Sequence, residues 1–132
     1  MAALSTTLED AFLNWIRGTT FTTAPATVYV ALFDGSPTDS GAGGTEITTT
    51  IKGVATRNAM AFNAPAGGEI ENTAEVIITA SASAGATASH FALYTASTGG
   101  TMIVHAALTT PKTIIAGDEV KFPAASVTIG ID

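Results

Sequence analysis

The sequence contains two histidines, His90 and His105, and both fall inside runs that read as β-strands. Imidazoles on two paired strands could begin a zinc site, but zinc ordinarily takes three or four protein ligands. The chain has no cysteine, and no carboxylate stands at a characteristic spacing from either ring. Both rings are therefore expected to pack within or beside a sheet. The run Asp34-Gly35-Ser36-Pro37-Thr38-Asp39 supplies two carboxylates and hydroxyls of the kind calcium accepts. It lacks the ligand order and the closing Glu of a helix-loop-helix calcium loop. Its simpler reading is a turn held by Asp and Ser side-chain hydrogen bonds. Glu69, Glu71 and Glu75 form the densest acidic group and read as a solvated loop and strand start, not as a glycosidase pair across a cleft. Serines abound, but no Gly-x-Ser-x-Gly elbow occurs, and no Gly-rich loop precedes a Lys-Ser/Thr pair. No catalytic, cofactor-binding or metal-ligating residue is expected, and the chain reads as non-enzymatic.

The elements around these residues explain why chemistry is sparse. Thr6 and Glu9 have the spacing of a capping box. Glu9 and Asp10 place negative charge in a first helical turn. Leu8, Phe12, Trp15 and Ile16 recur at helical spacing, and Gly18 follows as a stop. This predicts one short amphipathic helix over about 7–17. It is expected first to lid its own core, with docking against a neighbour as the alternative. On that alternative Phe12, Trp15 and Ile16 are the candidate partner interface.

From about residue 27 the period changes to two. Thr27 to Phe33 is β-branched, aromatic and almost wholly apolar, which suits a strand buried on both faces. A Gly/Ser/Asp/Pro loop over 34–44 follows. Further strands are expected at Thr45–Ile51, Val54–Phe62, Thr73–Ala80, Ala88–Tyr94, Met102–Thr109, Thr113–Ile115, Glu119–Phe122 and Ser126–Ile131, with a small-residue loop from Ser81 to Thr87. Pro111 restricts its segment to an edge or loop, and Ala116-Gly117-Asp118 reads as a tight turn. Short strands separated by Gly/Pro turns predict a mainly β fold. The expected form is an antiparallel β-sandwich or jelly-roll-like domain with one N-terminal helix.

The 132 residues suit one domain, 1–132. Charged residues make up only 12% of the chain, against about 25% in ordinary globular domains. A surface so poor in ionic groups suggests that other protein covers it, because interface cores are depleted of charge. Net charge is −6 and the basic residues Arg17, Lys52, Arg57, Lys112 and Lys121 are scattered, which argues against nucleic-acid binding. The N-terminus has no secretory pattern and no apolar run is long enough for a spanning helix. The expectation is a soluble protein made in the cytosol, with no membrane partner.

The order of motifs then becomes informative. The helix ends in Arg17-Gly18-Thr19-Thr20-Phe21-Thr22, and Ala24-Pro25-Ala26-Thr27-Val28-Tyr29-Val30-Ala31-Leu32-Phe33 follows. Ala55-Thr56-Arg57, Phe91-Ala92-Leu93-Tyr94 with Gly99-Gly100, and Leu108-Thr109-Thr110-Pro111-Lys112-Thr113 with Ala116-Gly117-Asp118 complete the set. Over most of its length the chain resembles a family of small tailed-bacteriophage virion structural proteins, often labelled phage tail fibre proteins. Where that family often has an aromatic residue two places before the Arg, this chain has Ala55. The resemblance implies a virion location and a structural role without catalytic residues. Partners would be further copies of itself, as a homo-oligomer, and other virion proteins such as the major capsid protein or tail proteins. With no shaft-forming repeat and no aromatic residue in the long loops, a capsid decoration (cement) protein is the first expectation. A tail-tip or tail-fibre module that binds a host receptor is the alternative.

Overall fold

The computed structural model describes residues 2–81 and 85–131. Residues 82–84, part of the loop expected from Ser81 to Thr87, lie outside the described residues. The fold is mainly β and antiparallel, in the manner of a β-sandwich. In chain order the elements are β1 (Ala3–Leu4), α1 (Thr6–Ile16), β2 (Val28–Asp34), β3 (Thr45–Glu46), α2 (Thr48–Lys52), β4 (Asn58–Met60), β5 (Glu69–Glu71), β6 (Val76–Thr79), β7 (Ala86–Tyr94), β8 (Met102–Ile114), β9 (Glu119–Phe122) and β10 (Thr128–Gly130).

The main sheet has the order β1-β8-β7-β2-β3, and β4 also pairs with β2. Two smaller ladders, β5 with β10 and β6 with β9, complete the architecture. Strand alternation explains the core. Val30, Leu32, Leu93 and Val104 from the main sheet meet Val76, Ile78, Val120 and Phe122 from the β6–β9 ladder. Phe91 and Phe122 meet edge to face across this core, ring centroids 5.8 Å apart, a favoured arrangement for aromatic quadrupoles. The opposite parity of β2 is also buried. Ala31 and Phe33 join Ala92 and Met102 in a second cluster. Loop 34–44 lies beside it, with Gly41 close to the Met102 side chain and Pro37 buried. The unbroken apolar run of β2 thus corresponds to burial on both faces.

Buried polar groups are satisfied. Asn72, 2% exposed, donates from Nδ2 to the Ala74 and Pro123 carbonyls at 3.1 and 2.8 Å, and its Oδ1 accepts from Val127 N–H at 2.8 Å. It therefore ties the chain ahead of β6 to the segments flanking β9 and β10. No buried side-chain nitrogen or oxygen among the described residues lacks a partner.

Several local expectations are corrected. The helix cap is Ser5 and not Thr6. Ser5 is extended (φ −72°, ψ 152°), and its side chain accepts from Leu8 N–H. Pairing of β1 with β8 carries the chain in extended form up to Ser5, whose own N–H donates to Ile103 O. The threonine-rich stretch expected as a strand over Thr45–Ile51 is a two-residue strand followed by α2. Tertiary contacts override β-propensity here. Thr48 Oγ1 accepts from Leu32 N–H at 2.8 Å and Ile47 N–H donates to Leu32 O, so the start of α2 satisfies the open edge of β2. Gly53, at φ +70°, ends α2 in the left-handed region. The strand expected over Val54–Phe62 shrinks to Asn58–Met60. Met60 is buried, but Val54 is 53% exposed. Residues Thr113 and Ile114 belong to a long β8, and β9 pairs with β6 instead of folding back on it. The Ala116–Asp118 turn therefore crosses between sheets.

Candidate functional site: an uncovered helix and an open groove

Helix α1 is fixed at its start and bare on its outer side. Ser5 N–H donates to Ile103 O and Thr6 N–H to Asp39 O, both at 2.9 Å, so the first turn is bolted to β8 and to loop 34–44. Leu8, Ala11 and Asn14 are half-buried at three-residue spacing, which identifies the side turned to the body. No residue of the helix is fully buried. Phe12, Leu13, Trp15 and Ile16 are 40%, 60%, 56% and 63% exposed. The expectation that this helix lids its own core is therefore corrected. Its apolar stripe is wider than one body-facing side can cover. Phe12, Trp15 and Ile16 are all exposed, and so is Leu13, which the sequence reading left out. Phe12 and Trp15 pack ring to ring, centroids 5.9 Å apart. A Trp buries roughly 150–250 Å² in cores and interfaces, so exposure of more than half of Trp15 is costly in water.

The chain beyond the helix is just as bare. Gly18 takes φ +92° after the last turn, and every residue from Trp15 to Thr27 is exposed. The helix and this connection together form an arm on the β body.

The second open feature is a groove of about 890 Å³ where the main sheet and the β6–β9 ladder fail to close on each other. Leu108, Val120, Phe122 and Val127 give it an apolar lining, and Ala2 borders one end. Strand β1 reaches β8 only at Val104 and His105. The outer edge of β8 beyond them faces this groove. Lys112 and Lys121 stand on its rim. Lys112 Nζ donates to Glu119 O at 2.9 Å, and Lys121 Nζ lies 3.5 Å from Glu119 Oε2.

The polar residues weighed for chemistry are occupied structurally. His105 and His90 lie on one face of the main sheet, opposite Ala92 and Ala107 respectively. Each has its own partner. His105 Nε2 donates to Asp39 Oδ1 at 2.8 Å. His90 Nδ1 is 2.9 Å from Ser89 Oγ, which itself accepts from Gly35 N–H. In loop 34–44, Ser36 Oγ accepts from Thr38 N–H and Ser40 Oγ from Ala42 N–H. These are turn-stabilising bonds. No group of three or more metal-ligating side chains occurs among the described residues.

Arg57, part of a motif singled out in the sequence, is the most heavily engaged ionic group. Its Nε and Nη2 donate to both oxygens of Glu46 at 2.8 and 2.9 Å. Its Nη1 donates to Ala96 O and Gly99 O. Its guanidinium sits 3.8 Å over the Tyr94 ring. The planar fork of Arg meets carboxylate, carbonyl and ring together, which Lys could not do. Burial, followed by the nearby Glu46 charge, pushes the Tyr94 hydroxyl above its usual pKa, and Arg57 opposes this. Arg57, Tyr94, Asp39 and Gly99 line a polar recess of about 390 Å³. The cluster clamps the β7–β8 turn to the start of β4.

The family of Podophage GP4 fiber I protein gp80 matches residues 3–130. The chain belongs to that family. The match spans the arm, the main sheet, the two smaller ladders and the β8 and β9 walls of the groove. No curated protein matches the chain.

The gp80 fiber I family is one of phage fibre-type structural proteins, which accords with the resemblance read from the motifs. A virion fibre associates with other virion components. Nothing in this fiber-family chain shows catalytic activity, and the His, Asp and Arg side chains described above have structural partners. Among the described residues, α1 gathers the densest run of exposed large apolar side chains, and the groove stands open beside β8.

Proposed function

We propose that this chain is a fibre subunit of a phage particle that docks on other virion protein through the outer face of α1. One observation carries this reading. Four large apolar side chains, Phe12, Leu13, Trp15 and Ile16, stand together in water on a helix whose start is rigidly held. Monomeric proteins seldom display such a cluster without a binding role. The low charge of the whole chain, 12%, points the same way. The role is passive. The body presents the helix, burial of apolar surface drives docking, and repetition on the particle raises avidity.

The sequence reading put a capsid decoration role first and a tail-fibre module second; the word fiber in the family's description is what supports taking the fibre here. The test is to assemble particles with Trp15→Ala or Ile16→Asp chains, quantify the bound protein, and locate the wild-type chain in a cryo-electron map. The reading expects density on a fibre and depleted variants. Variants bound at wild-type level would overturn docking through α1. Density on the capsid lattice would return the decoration role.

A further inference from the structure

We propose that the apolar face of α1 from one copy of this chain seats in the β8–β9 groove of a second copy. The inference rests on the docking role of α1 and names its partner. One chain carries both halves of the contact, an exposed apolar helix surface and an open groove in which Ala2, Ala106 and Leu108 are half-exposed above the core residues Val120, Phe122 and Val127. The helix does not serve its own groove. Ala2 borders the groove, whereas the cap at Ser5 is fixed three residues on, beyond β1, to Ile103 and Asp39. With Leu8 and Ala11 turned to its own body, Phe12, Leu13 and Ile16 point away from it and address another molecule, with the exposed Trp15 ring packed on Phe12 at their margin.

Length and charge both fit. A helix of 11 residues is about 16 Å long. The groove runs beside β8 from Ala106 to Lys112, seven residues that span roughly 23 Å as a strand. The chain is acidic, with only five basic side chains against 11 acidic ones. Two of the five, Lys112 and Lys121, stand on the groove rim. Glu9 lies three residues before Phe12 and four before Leu13, beside the apolar face. A helix seated by that face brings its carboxylate to a rim that carries two cations, Lys112 and Lys121, against one acid, Glu119. The contact joins unlike surfaces, so it forms a reciprocal pair, a ring or an open filament, and the measured mass tells these apart.

The test uses the whole chain. The sequence has no cysteine and one tryptophan, so introduced thiols and Trp15 emission report without background. Light scattering after size exclusion should give a mass above one chain, and Trp15 emission should shift to the blue as concentration rises. Leu13→Cys chains mixed with Thr109→Cys chains should form disulfide-linked pairs. Leu13→Cys mixed with Thr49→Cys, a site on α2 outside the groove, should not. Trp15→Ala should weaken association about thirtyfold or more. Lys121→Glu should weaken it up to about fivefold, with recovery in Glu9→Lys/Lys121→Glu. A single-chain mass at every concentration, or association without the Leu13–Thr109 link, would overturn the pairing. If Trp15→Ala still removes the chain from particles in that case, α1 docks on a different virion protein. If particles keep that variant at wild-type level, the docking role falls as well.

Discussion

The β body and the N-terminal arm follow opposite rules within one chain. In the body, Leu32, Ile51, Ile78 and Leu93 are essentially inaccessible, and polar side chains such as Asn72 and Arg57 have their partners within the chain. In the arm, Trp15 and Ile16 face water, and exposure is continuous from Trp15 to Thr27. Although Val54, Ile115 and Ile131 stand singly as exposed as the helix residues, the body's core residues are explained by contacts inside the molecule. The arm's residues are not, and the simplest physical cause is a contact outside it. Apolar surface retained in water, at a cost of about 25 cal/mol per Å², has to be covered elsewhere.

Substitutions separate the two regions, and the largest effect belongs to the body. Arg57→Ala removes the partner of the partly buried Glu46 carboxylate and of two carbonyls, so unfolding free energy should fall by about 2–3 kcal/mol, read by urea denaturation. Arg57→Lys should recover only part of the loss, because an ammonium cannot reproduce the bidentate pair and the ring contact. Asn72→Ala leaves Val127 N–H and the Ala74 carbonyl unpaired, while Pro123 O keeps its bond from Ser126 N–H. It should cost about 2 kcal/mol in the same assay. A near-neutral result at either site would place the body's stability elsewhere.

Trp15→Ala is the converse. It should change unfolding free energy by no more than about 0.5 kcal/mol, as for a surface site. Docking should weaken by about 2 kcal/mol or more, as for a buried anchor at an interface, measured by particle binding. Loss of the isolated fold would assign Trp15 to the body and erase the distinction between the regions.

The sequence made the body legible where period and propensity agree. The apolar run Val28–Phe33 is a doubly buried strand, and Ala88–Tyr94 and Met102–Thr109 are paired neighbours. It misled where a tertiary bond decides. Thr48 looks like a strand residue until its hydroxyl is seen to satisfy Leu32 N–H. The helix was legible as an amphipathic stripe, but periodicity alone does not say which molecule covers the stripe. The groove was invisible, because it arises from β9 pairing with β6 and leaving β8 open, a pairing between segments far apart in sequence. Arg57 was noticed as a motif residue, while its clamp on Glu46, Tyr94 and the β7–β8 turn depends on folding.

The smallest expected effect probes the body alone, through Tyr94. Its hydroxyl has a pKa raised above 10.0 by burial and by Glu46. The unfolded chain therefore releases this proton at lower pH than the folded one. The stabilising contribution is complete below pH 10, where both forms are protonated. It is lost as pH rises through the folded pKa. Tyr94→Phe keeps the ring beneath Arg57 and removes the titration. Urea midpoints at pH 8 and pH 11 should fall less for Tyr94→Phe than for the wild-type chain. Lys52, whose ammonium is pushed below its usual pKa by burial, acts with the opposite sign as pH rises towards 10.5. Comparing the variant with the wild type cancels that contribution, which is common to both. Trp15→Ala should leave the pH slope unchanged, because the arm carries no part of the Arg57 clamp. If Trp15→Ala altered that slope, arm and body would be energetically joined, and an exterior partner for α1 would no longer be needed to explain its exposed face.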